Sequence, residues 1–254
     1  MYGAIIGDLA GSIYEYDQLK KVHPVYMKEL IPSNSFYSDD TILTIAVCDA
    51  IKSHRKYEDV LKEYILKYSS YHPNFSPYFQ SPFSPSLMKW ARGEKDGKSC
   101  GNGAMMRISP VGYLFDCEEK VLEESRLATI PSHNTKEAVD AASIIAFMIF
   151  YLRKGYSKEE VFEKLSLNPT CIPFSKFNIT CSETLNNCLS IFLHSNSFEE
   201  TIYNMLLMGG DTDTNCCIVG SLAEACYGVD EALKRKVEEK IPKEFVKVLQ
   251  KDNS

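Results

Sequence analysis

The sequence predicts an all-α protein. Long segments carry apolar residues at helical spacing together with good helix formers, whereas alternating strand-like runs bounded by turns are scarce. A hydrophobic content of 44% over 254 residues supports a substantial core. Because no linker, low-complexity tract or repeat divides the chain, we expect one compact domain over residues 1–254.

The predicted helices follow one another along most of the chain. Each combines apolar residues three or four positions apart with residues of good helix propensity. Pro110 is expected to kink or end its segment, and Pro242 should begin a final short helix because proline is tolerated in a first turn. The other predicted helices are residues 3–15, 41–53, 57–68, 104–114, 136–153, 158–165, 183–193, 198–208, 214–227 and 230–240.

Composition and charge narrow the class of protein. The net charge is −6, and the only basic run is the short one at residues 234–236, so the chain carries no evident nucleic-acid footprint. The chain has nine cysteines, an odd number, and no C-x-x-C pair with zinc-finger spacing. Both observations favour reduced, mostly buried thiols in a cytosolic protein. The most apolar stretch, residues 141–152, is shorter than the roughly 20 residues that cross a bilayer, so we expect a buried core helix there. The chain start lacks a basic leader, and no heptad seam is present; we expect a cytoplasmic monomer.

Two acidic tetrapeptides, residues 38–41 (SDDT) and 211–214 (DTDT), each open an apolar helical run. Asp, Ser and Thr are common N-cap residues, and the helix macrodipole favours acidic groups in the first turn, so each motif alone fits a cap. A cap needs one oxygen acceptor, however, and adjacent carboxylates that converge repel one another unless a cation is present. We therefore interpret the two motifs as halves of one metal site.

Glycines mark two further positions. Gly3, Gly7 and Gly11 recur every four residues, which predicts a smooth ridge where another helix backbone comes close. On the same helix Asp8 and Glu15 are about two turns apart and project from one face. We expect Asp8 to bond to loop backbone and Glu15 to reach a metal or ligand. The glycine pair at 209–210 predicts unusual dihedrals at a sharp junction before the second acidic motif.

Three loops are candidates for substrate contacts. Residues 101–103 (Gly-Asn-Gly) stand before a predicted helix, where backbone N–H groups can meet a phosphate, although the same tripeptide is also an ordinary turn. Arg107 either contacts the phosphates or ties down an acidic loop. His133 is better placed than the other histidines to line a pocket. The four-proline loop at residues 72–85 is either a site wall or lid, or an Ω-loop packed by its own aromatic rings.

The ligand types indicate the metal class. Carboxylate and hydroxyl oxygens without clustered His or Cys favour Mg²⁺, Mn²⁺ or Ca²⁺ over Zn²⁺. Four aspartates carry enough negative charge for two divalent ions. Paired ions at such sites orient a water molecule and clamp reacting oxygens, so a hydrolase is expected.

Taken together, the motifs resemble the ADP-ribosylglycohydrolase family. The resemblance runs in order over nearly the whole chain, through residues 3–11 with Glu15, then 38–41, 101–107, 132–133 and 209–214. It implies a compact all-α orthogonal bundle with two Mg²⁺ or Mn²⁺ ions in a central cleft. The implied reaction cleaves the bond between C1″ of ADP-ribose and an acceptor, which reverses ADP-ribosylation.

The resemblance also implies roles for individual residues. By position, Glu15 is a further metal ligand or a gate beside the distal ribose. Our own hypothesis for the mechanism is that Asp39, Asp40 or Glu15 handles the proton of the attacking water. The loop around residues 101–103 is the cradle for the diphosphate and ribose. The implied metal shell comprises Ser38, Asp39, Asp40, Asp211, Asp213 and Thr214, and the implied substrate contacts are Ser99, Cys100, Gly101, Asn102, Gly103 and His133.

Two departures from the family pattern bear on these roles. Ser38 stands where many relatives have Thr, which keeps the hydroxyl. Cys100 stands where many have an aromatic residue, so an aromatic of the proline-rich loop, such as Phe79 or Phe83, is a candidate to stack on the adenine instead. Two other functions stay open at this point: a non-catalytic ADP-ribose-binding protein, and a metal-dependent nucleotide phosphohydrolase. The acceptor is a protein side chain, a nucleobase or a small ester.

Overall fold

The computed structural model describes residues 1–15, 28–73, 81–174 and 177–252, and these ranges are helical with connecting loops. Within them, β pairing is limited to isolated bridges between Lys98 and His133 and between Gly101 and Thr180. The predicted all-α class is confirmed. The helices are α1 (Tyr2–Gly11), α2 (Asp39–Lys52), α3 (Tyr57–Lys67), α4 (Pro85–Ala91), α5 (Gly103–Met106), α6 (Ser109–Leu114), α7 (Glu118–Thr129), α8 (Lys136–Arg153), α9 (Lys158–Lys164), α10 (Cys181–His194), α11 (Phe198–Met208), α12 (Thr212–Tyr227), α13 (Glu231–Lys240) and α14 (Lys243–Gln250).

Several predicted bounds differ from the observed ones. Helix α1 ends at Gly11 rather than at Glu15, because the Ser12 hydroxyl donates to the Leu9 carbonyl and accepts from the Phe36 N–H, which turns the chain. The predicted helix 104–114 is two short helices, α5 and α6. Pro110 lies in the first turn of α6, where its missing N–H costs nothing, so it begins a new helix. Helices 136–153 and 198–208 have the predicted bounds, and α14 follows Pro242 as predicted.

Helices α4 and α7 were not predicted from the sequence. Helix α4 lies at the end of the proline-rich loop, where the Ser84 hydroxyl accepts from the Leu87 N–H and caps it. Helix α7 buries a narrow face that contains both polar and apolar residues. The hydroxyl of Ser125 on this face lies 2.9 Å from the hydroxyl of Ser143 on α8. A buried stripe that contains serine and threonine gives a weak apolar period, so the sequence pattern did not reveal the helix.

The first helix packs directly on α12 through the glycine ridge. A Cβ added at Gly3 would lie 2.2 Å from the Gly220 carbonyl oxygen, and one at Gly7 would lie 2.0 Å from the Cys216 carbonyl oxygen. The predicted close helix approach is confirmed. Because the two helices run antiparallel, the end of α1 lies beside the start of α12.

Helix α8 forms much of the core, and its buried residues include most of the apolar stretch at residues 141–152. None of the described helices has both the length and the apolarity to cross a membrane.

All nine cysteines are free thiols. Five of them are buried: Cys48, Cys181, Cys188, Cys216 and Cys217.

Candidate metal and substrate site

The structure brings the two acidic tetrapeptides together at the starts of α2 and α12. Ser38 is the N-cap of α2, and its hydroxyl accepts from the Asp40 N–H at 3.2 Å. The Thr214 hydroxyl, in the first turn of α12, donates to Asp40 Oδ2 at 3.1 Å. The two motifs therefore share one polar centre, although about 170 residues separate them in the sequence.

Six acidic side chains reach this centre, and five of them form two triads that share one member. Carboxylate oxygens of Asp8, Asp40 and Asp213 lie within 4.8 Å of one another, and so do those of Glu15, Asp211 and Asp213. Asp213 belongs to both triads. Asp39 lies outside both and is partly exposed on the wall of the adjoining cavity. Carboxylate oxygens at such spacing are a suitable donor set for a divalent cation.

Asp8 holds the start of α2 in place. Its Oδ2 accepts from the backbone N–H groups of Ser38 at 2.9 Å and Thr41 at 3.0 Å, and also from the Thr41 hydroxyl. Its Oδ1 accepts from the Ser38 hydroxyl at 2.8 Å. The contact with loop backbone that the sequence analysis expected is present. The membership of Asp8 in a carboxylate triad was not anticipated, because a mid-helix position suggested only a structural role.

The buried carboxylates are electrostatically unfavourable without a cation. Burial raises the pKa of Asp8 to about 7, with the charge of Asp213 as the next cause. Burial also raises the pKa of Asp211 to about 6, against the lowering effect of hydrogen bonds, including the one from Asn102. For Asp40 and Asp213, burial and neighbouring carboxylates raise the pKa well above the usual range. Asp40 Oδ1 is buried without a hydrogen-bond partner among the described residues. A hard cation fits this all-oxygen donor set and would satisfy that atom.

These pKa shifts predict how the stability of the metal-free protein depends on pH. A carboxyl group whose pKa is raised by folding binds protons more tightly in the folded state, so its contribution is greatest below the unfolded pKa, near 4, and is lost as the pH rises through the folded value. We expect the melting temperature of chelator-treated protein to fall as the pH rises from 5 to 8. Thermal unfolding in EDTA at a series of pH values measures this.

A charge-removing variant isolates the effect of the triads. Asp213→Asn should make the melting temperature of the metal-free protein depend less on pH. Asp252→Asn, at an exposed position near the chain end, should leave that dependence unchanged. A metal-free protein that became more stable between pH 5 and 8 would contradict the prediction.

The Gly-Asn-Gly loop lies next to the second triad. Asn102 Nδ2 donates to Asp211 Oδ2 at 2.7 Å, and the Asn102 N–H donates to the Ile179 carbonyl at 2.9 Å. The Gly101 N–H donates to the Ser99 hydroxyl at 3.0 Å. Because α5 is only one turn long, its dipole adds little to anion binding, contrary to the sequence-based expectation. The loop itself, anchored to a metal triad through Asn102, remains the predicted cradle.

The junction before α12 depends on a side-chain network that the sequence analysis did not predict. Gly209 and Gly210 have positive φ angles of 72° and 77°, as expected for the paired glycines. Asn178 Oδ1 accepts from the Asp211 N–H at 2.9 Å and from Asn215 Nδ2 at 3.2 Å. A lone asparagine in a loop gives no sequence signal for this role, since Asp211 and Asn215 lie more than thirty residues away.

A cavity of about 640 Å³ opens over the two triads. Ser38 and Asp40 lie beneath its surface, whereas the other predicted site residues line it. Phe83 and Trp90, both almost fully buried, contribute aromatic surface; Trp90 was not anticipated, and Phe79 lies outside the described residues. Residues 81–85 line the cavity, which favours the wall interpretation for that part of the loop. The predicted residues on the lining are Glu15, Asp39, Ser99, Cys100, Gly101, Asn102, Gly103, His133, Asp211, Asp213 and Thr214.

A larger cavity of about 1020 Å³ lies elsewhere, between the end of α2 and α7. Tyr57 and Phe115 are among its lining residues, and no member of either triad reaches it. The smaller cavity is therefore the one that adjoins the carboxylate triads.

Arg107 does not lie on the lining of the 640 Å³ cavity and is fully buried. Its Nη2 donates to the Ala128 carbonyl at 3.2 Å and to the Ser132 hydroxyl at 2.8 Å. Arg107 does not reach the cavity in which a phosphate contact was expected; it does tie down a loop, as the alternative expectation had it, but that loop is not acidic. The guanidinium instead anchors the end of α7 and the residue before His133.

Comparison with known proteins gives the family. The family model described as ADP-ribosylglycohydrolase matches residues 1–253. The chain belongs to the ADP-ribosylglycohydrolase family. Family relatives include the ADP-ribosylhydrolase ARH3 of Mus musculus, which is 21% identical over 306 residues, covering 90% of this chain and 83% of that protein. The ADP-ribosylarginine hydrolase Tri1 of Pseudomonas putida (strain GB-1) is 23% identical, covering 90% of this chain and 70% of that protein.

The family fold is also found by structure comparison. A solved structure titled ADP-ribosylglycohydrolase-related protein complex superposes with a TM-score of 0.71 at 20% identity, covering 97% of this chain and 94% of that one. The all-α fold expected from the family resemblance is confirmed.

Proposed function

We propose that this protein is a metal-dependent ADP-ribosylglycohydrolase, which hydrolyses the C1″ bond between ADP-ribose and an acceptor. The observation that carries the proposal is the pair of carboxylate triads sharing Asp213 at the floor of a cavity large enough for a nucleotide-sized ligand. Membership in the family and the activities named for its relatives ARH3 and Tri1 support the same reaction.

The proposed metal shell consists of two groups that share Asp213. Asp8, Asp40 and Asp213 would hold one divalent cation, with the Ser38 and Thr214 hydroxyls beside Asp40; Glu15, Asp211 and Asp213 would hold the second. Bound Mg²⁺ or Mn²⁺ supplies positive charge that orients the ribose hydroxyls and makes a nearby water more acidic.

The residues of the cavity wall have the other proposed roles, which are proton transfer and substrate binding. Asp39 and Glu15 line the cavity, whereas Asp40 is buried beneath it, so the first two are better placed to accept the proton of the attacking water. Asn102 links the substrate cradle to the proposed metal shell through Asp211, and it thereby fixes the position of the cradle relative to the metal shell. Phe83 and Trp90 are the proposed apolar contacts for the adenine.

A panel of substrates tests the proposal. The purified protein with Mg²⁺ is incubated with defined conjugates of ADP-ribose to arginine, serine, a nucleobase and a small ester, and the products are identified by mass spectrometry. We expect intact ADP-ribose from at least one conjugate and none after chelation with EDTA. Release of phosphate or AMP would indicate a nucleotide phosphohydrolase, and binding without turnover of any conjugate would indicate a non-catalytic ADP-ribose-binding protein.

A further inference from the structure

His133 is connected to the fully buried Arg107 through one hydroxyl. Arg107 Nη2 lies 2.8 Å from Ser132 Oγ, and Ser132 Oγ lies 2.8 Å from His133 Nδ1. An arginine can only donate, so Ser132 Oγ accepts from Arg107. Its single hydroxyl hydrogen is then available for one acceptor, and His133 Nδ1 is the acceptor in reach.

The alternative arrangement is less favourable. If His133 carried its proton on Nδ1, Ser132 Oγ would accept twice and its own hydrogen would have no partner. Ser132 is only 3% exposed, so that hydrogen would also lack water, and a buried unsatisfied donor costs about 1–3 kcal/mol. The geometry therefore favours the imidazole tautomer that is protonated on Nε2.

Burial, with the charge of Arg107 as the second cause, favours the neutral imidazole. Burial, and then the nearby guanidinium, lower the pKa of His133 well below its usual range. Among the described residues, Arg107 Nε and Nη1 have no hydrogen-bond partner, so Ser132 Oγ is the side-chain acceptor that links the guanidinium to the imidazole. His133 is thus a neutral donor rather than a cation.

The Nε2 atom faces the substrate cradle. A Cβ added at Gly103 would lie 3.5 Å from His133 Nε2, and one at Gly101 would lie 3.6 Å from it. The two glycines leave the approach to this nitrogen open, and no hydrogen bond to a described residue occupies it. The backbone on either side is fixed, since the His133 N–H donates to the Thr129 carbonyl at 3.0 Å.

We infer that Arg107 and Ser132 are positioning residues that hold His133 as the neutral Nε2–H tautomer, so that it donates one hydrogen bond to an oxygen of the ADP-ribosyl group in the cradle. The inference rests on the proposed function for the identity of the ligand. A neutral donor can bind a phosphate or ribose oxygen without forming an ion pair with the nearby carboxylates.

The tautomer is measured directly by long-range ¹H–¹⁵N correlation NMR of protein with ¹⁵N-labelled histidine, with His133→Gln used to assign the signals. We expect a single Nε2–H pattern in the wild-type protein at neutral pH. Ser132→Ala should produce a mixture of tautomers, and Ser132→Thr, which keeps a hydroxyl, should restore the wild-type pattern. A wild-type spectrum of the Nδ1–H form would overturn the inference, whether or not the protein binds ADP-ribose.

A double-mutant cycle on ADP-ribose binding tests whether Ser132 acts through His133. Calorimetry with Mg²⁺ should show that Ser132→Ala weakens binding about fivefold, the effect of roughly one hydrogen bond, and that His133→Ala weakens it by a similar or larger factor. In the His133→Ala background Ser132→Ala should have no further effect. An equal effect in both backgrounds would show that Ser132 acts independently and would refute the relay.

A variant of the arginine completes the test. Arg107→Met removes the charge and the donor, and circular dichroism and thermal unfolding establish whether it folds. If it does, we expect the tautomer mixture seen in Ser132→Ala; if it does not, the two Ser132 variants decide the question. A wild-type protein that does not bind ADP-ribose with Mg²⁺ would refute the proposed function and the substrate contact together, while the NMR spectra would still judge the tautomer.

Discussion

Asp213→Asn is expected to abolish Mg²⁺-dependent release of ADP-ribose and, in the absence of metal, to make the protein more stable. Asp213 is the carboxylate common to both triads, so its loss weakens both proposed cation positions. Several kcal/mol of transition-state stabilisation depend on such ions, which corresponds to a loss of about a thousandfold or more in rate. In metal-free protein the same change removes like-charge repulsion from a buried site, because burial and Asp211 already raise the pKa of Asp213.

The two effects are measured on one preparation. Turnover of the conjugate identified by the substrate panel is followed with increasing Mg²⁺, and melting temperatures are compared in EDTA and in Mg²⁺. Asparagine keeps the shape and an oxygen that can accept from the Thr214 N–H, so the fold should persist. Asp252→Asn serves as the matched control. A variant that retained both the Mg²⁺-dependent rise in melting temperature and the activity would rule out Asp213 as the shared ligand.

Gly7→Ala is expected to destabilise the fold severely and to disrupt the metal site with it. The new Cβ would lie 2.0 Å from the Cys216 carbonyl oxygen and 2.7 Å from the Cys217 nitrogen, and these are backbone atoms of a buried helix. Helices α1 and α12 would have to separate by more than 1 Å to reach the ordinary contact distance of at least 3.4 Å. Overpacking of this kind costs about 3 kcal/mol or more. Since α1 carries Asp8 and α12 carries Asp213, these two members of one triad would move apart as well.

Denaturant unfolding measures the free energy, and Gly93→Ala provides a matched control. A Cβ added at Gly93 would meet no atom within 4 Å, and the φ angle there is +76°. The cost of Gly93→Ala is therefore backbone strain alone, about 1–2 kcal/mol. We expect Gly7→Ala to cost clearly more and, unlike Gly93→Ala, to lose the Mg²⁺-dependent rise in melting temperature. A free energy of unfolding for Gly7→Ala equal to that of the wild type would show that the ridge does not require glycine.

Much of the fold was predictable because the strongest signals are local. Helices 136–153 and 198–208 have the predicted bounds, since their apolar period and their caps agree. The glycine spacing in α1 also predicted the close helix approach correctly. The errors fall where local signals conflict with tertiary contacts. The end of α1 is set by the contact of Ser12 with Phe36, and α7 buries a stripe in which Ser125 replaces an apolar residue.

The site was predictable in its residue types but not in its arrangement. Acidic residues at two helix starts, with Glu15, predicted a divided metal site, and those residues lie together in the structure. Asp8 and Asn178 show what was missed. Asp8 was expected to hold only backbone, and Asn178 gave no signal at all, because its role depends on partners that are distant in sequence.

The sequence by itself determined the all-α class, the family and the chemical types of the site, because helical period, caps and ordered motifs are encoded in neighbouring residues. Only the tertiary structure decided that Asp213 is shared by two carboxylate triads, that Asp39 faces the cavity while Asp40 lies beneath it, and that Ser132 lies between Arg107 and His133. These relations depend on distances of a few ångströms between distant segments. The glycine contact between α1 and α12 sets part of those distances, since it brings the end of one helix beside the acidic start of the other.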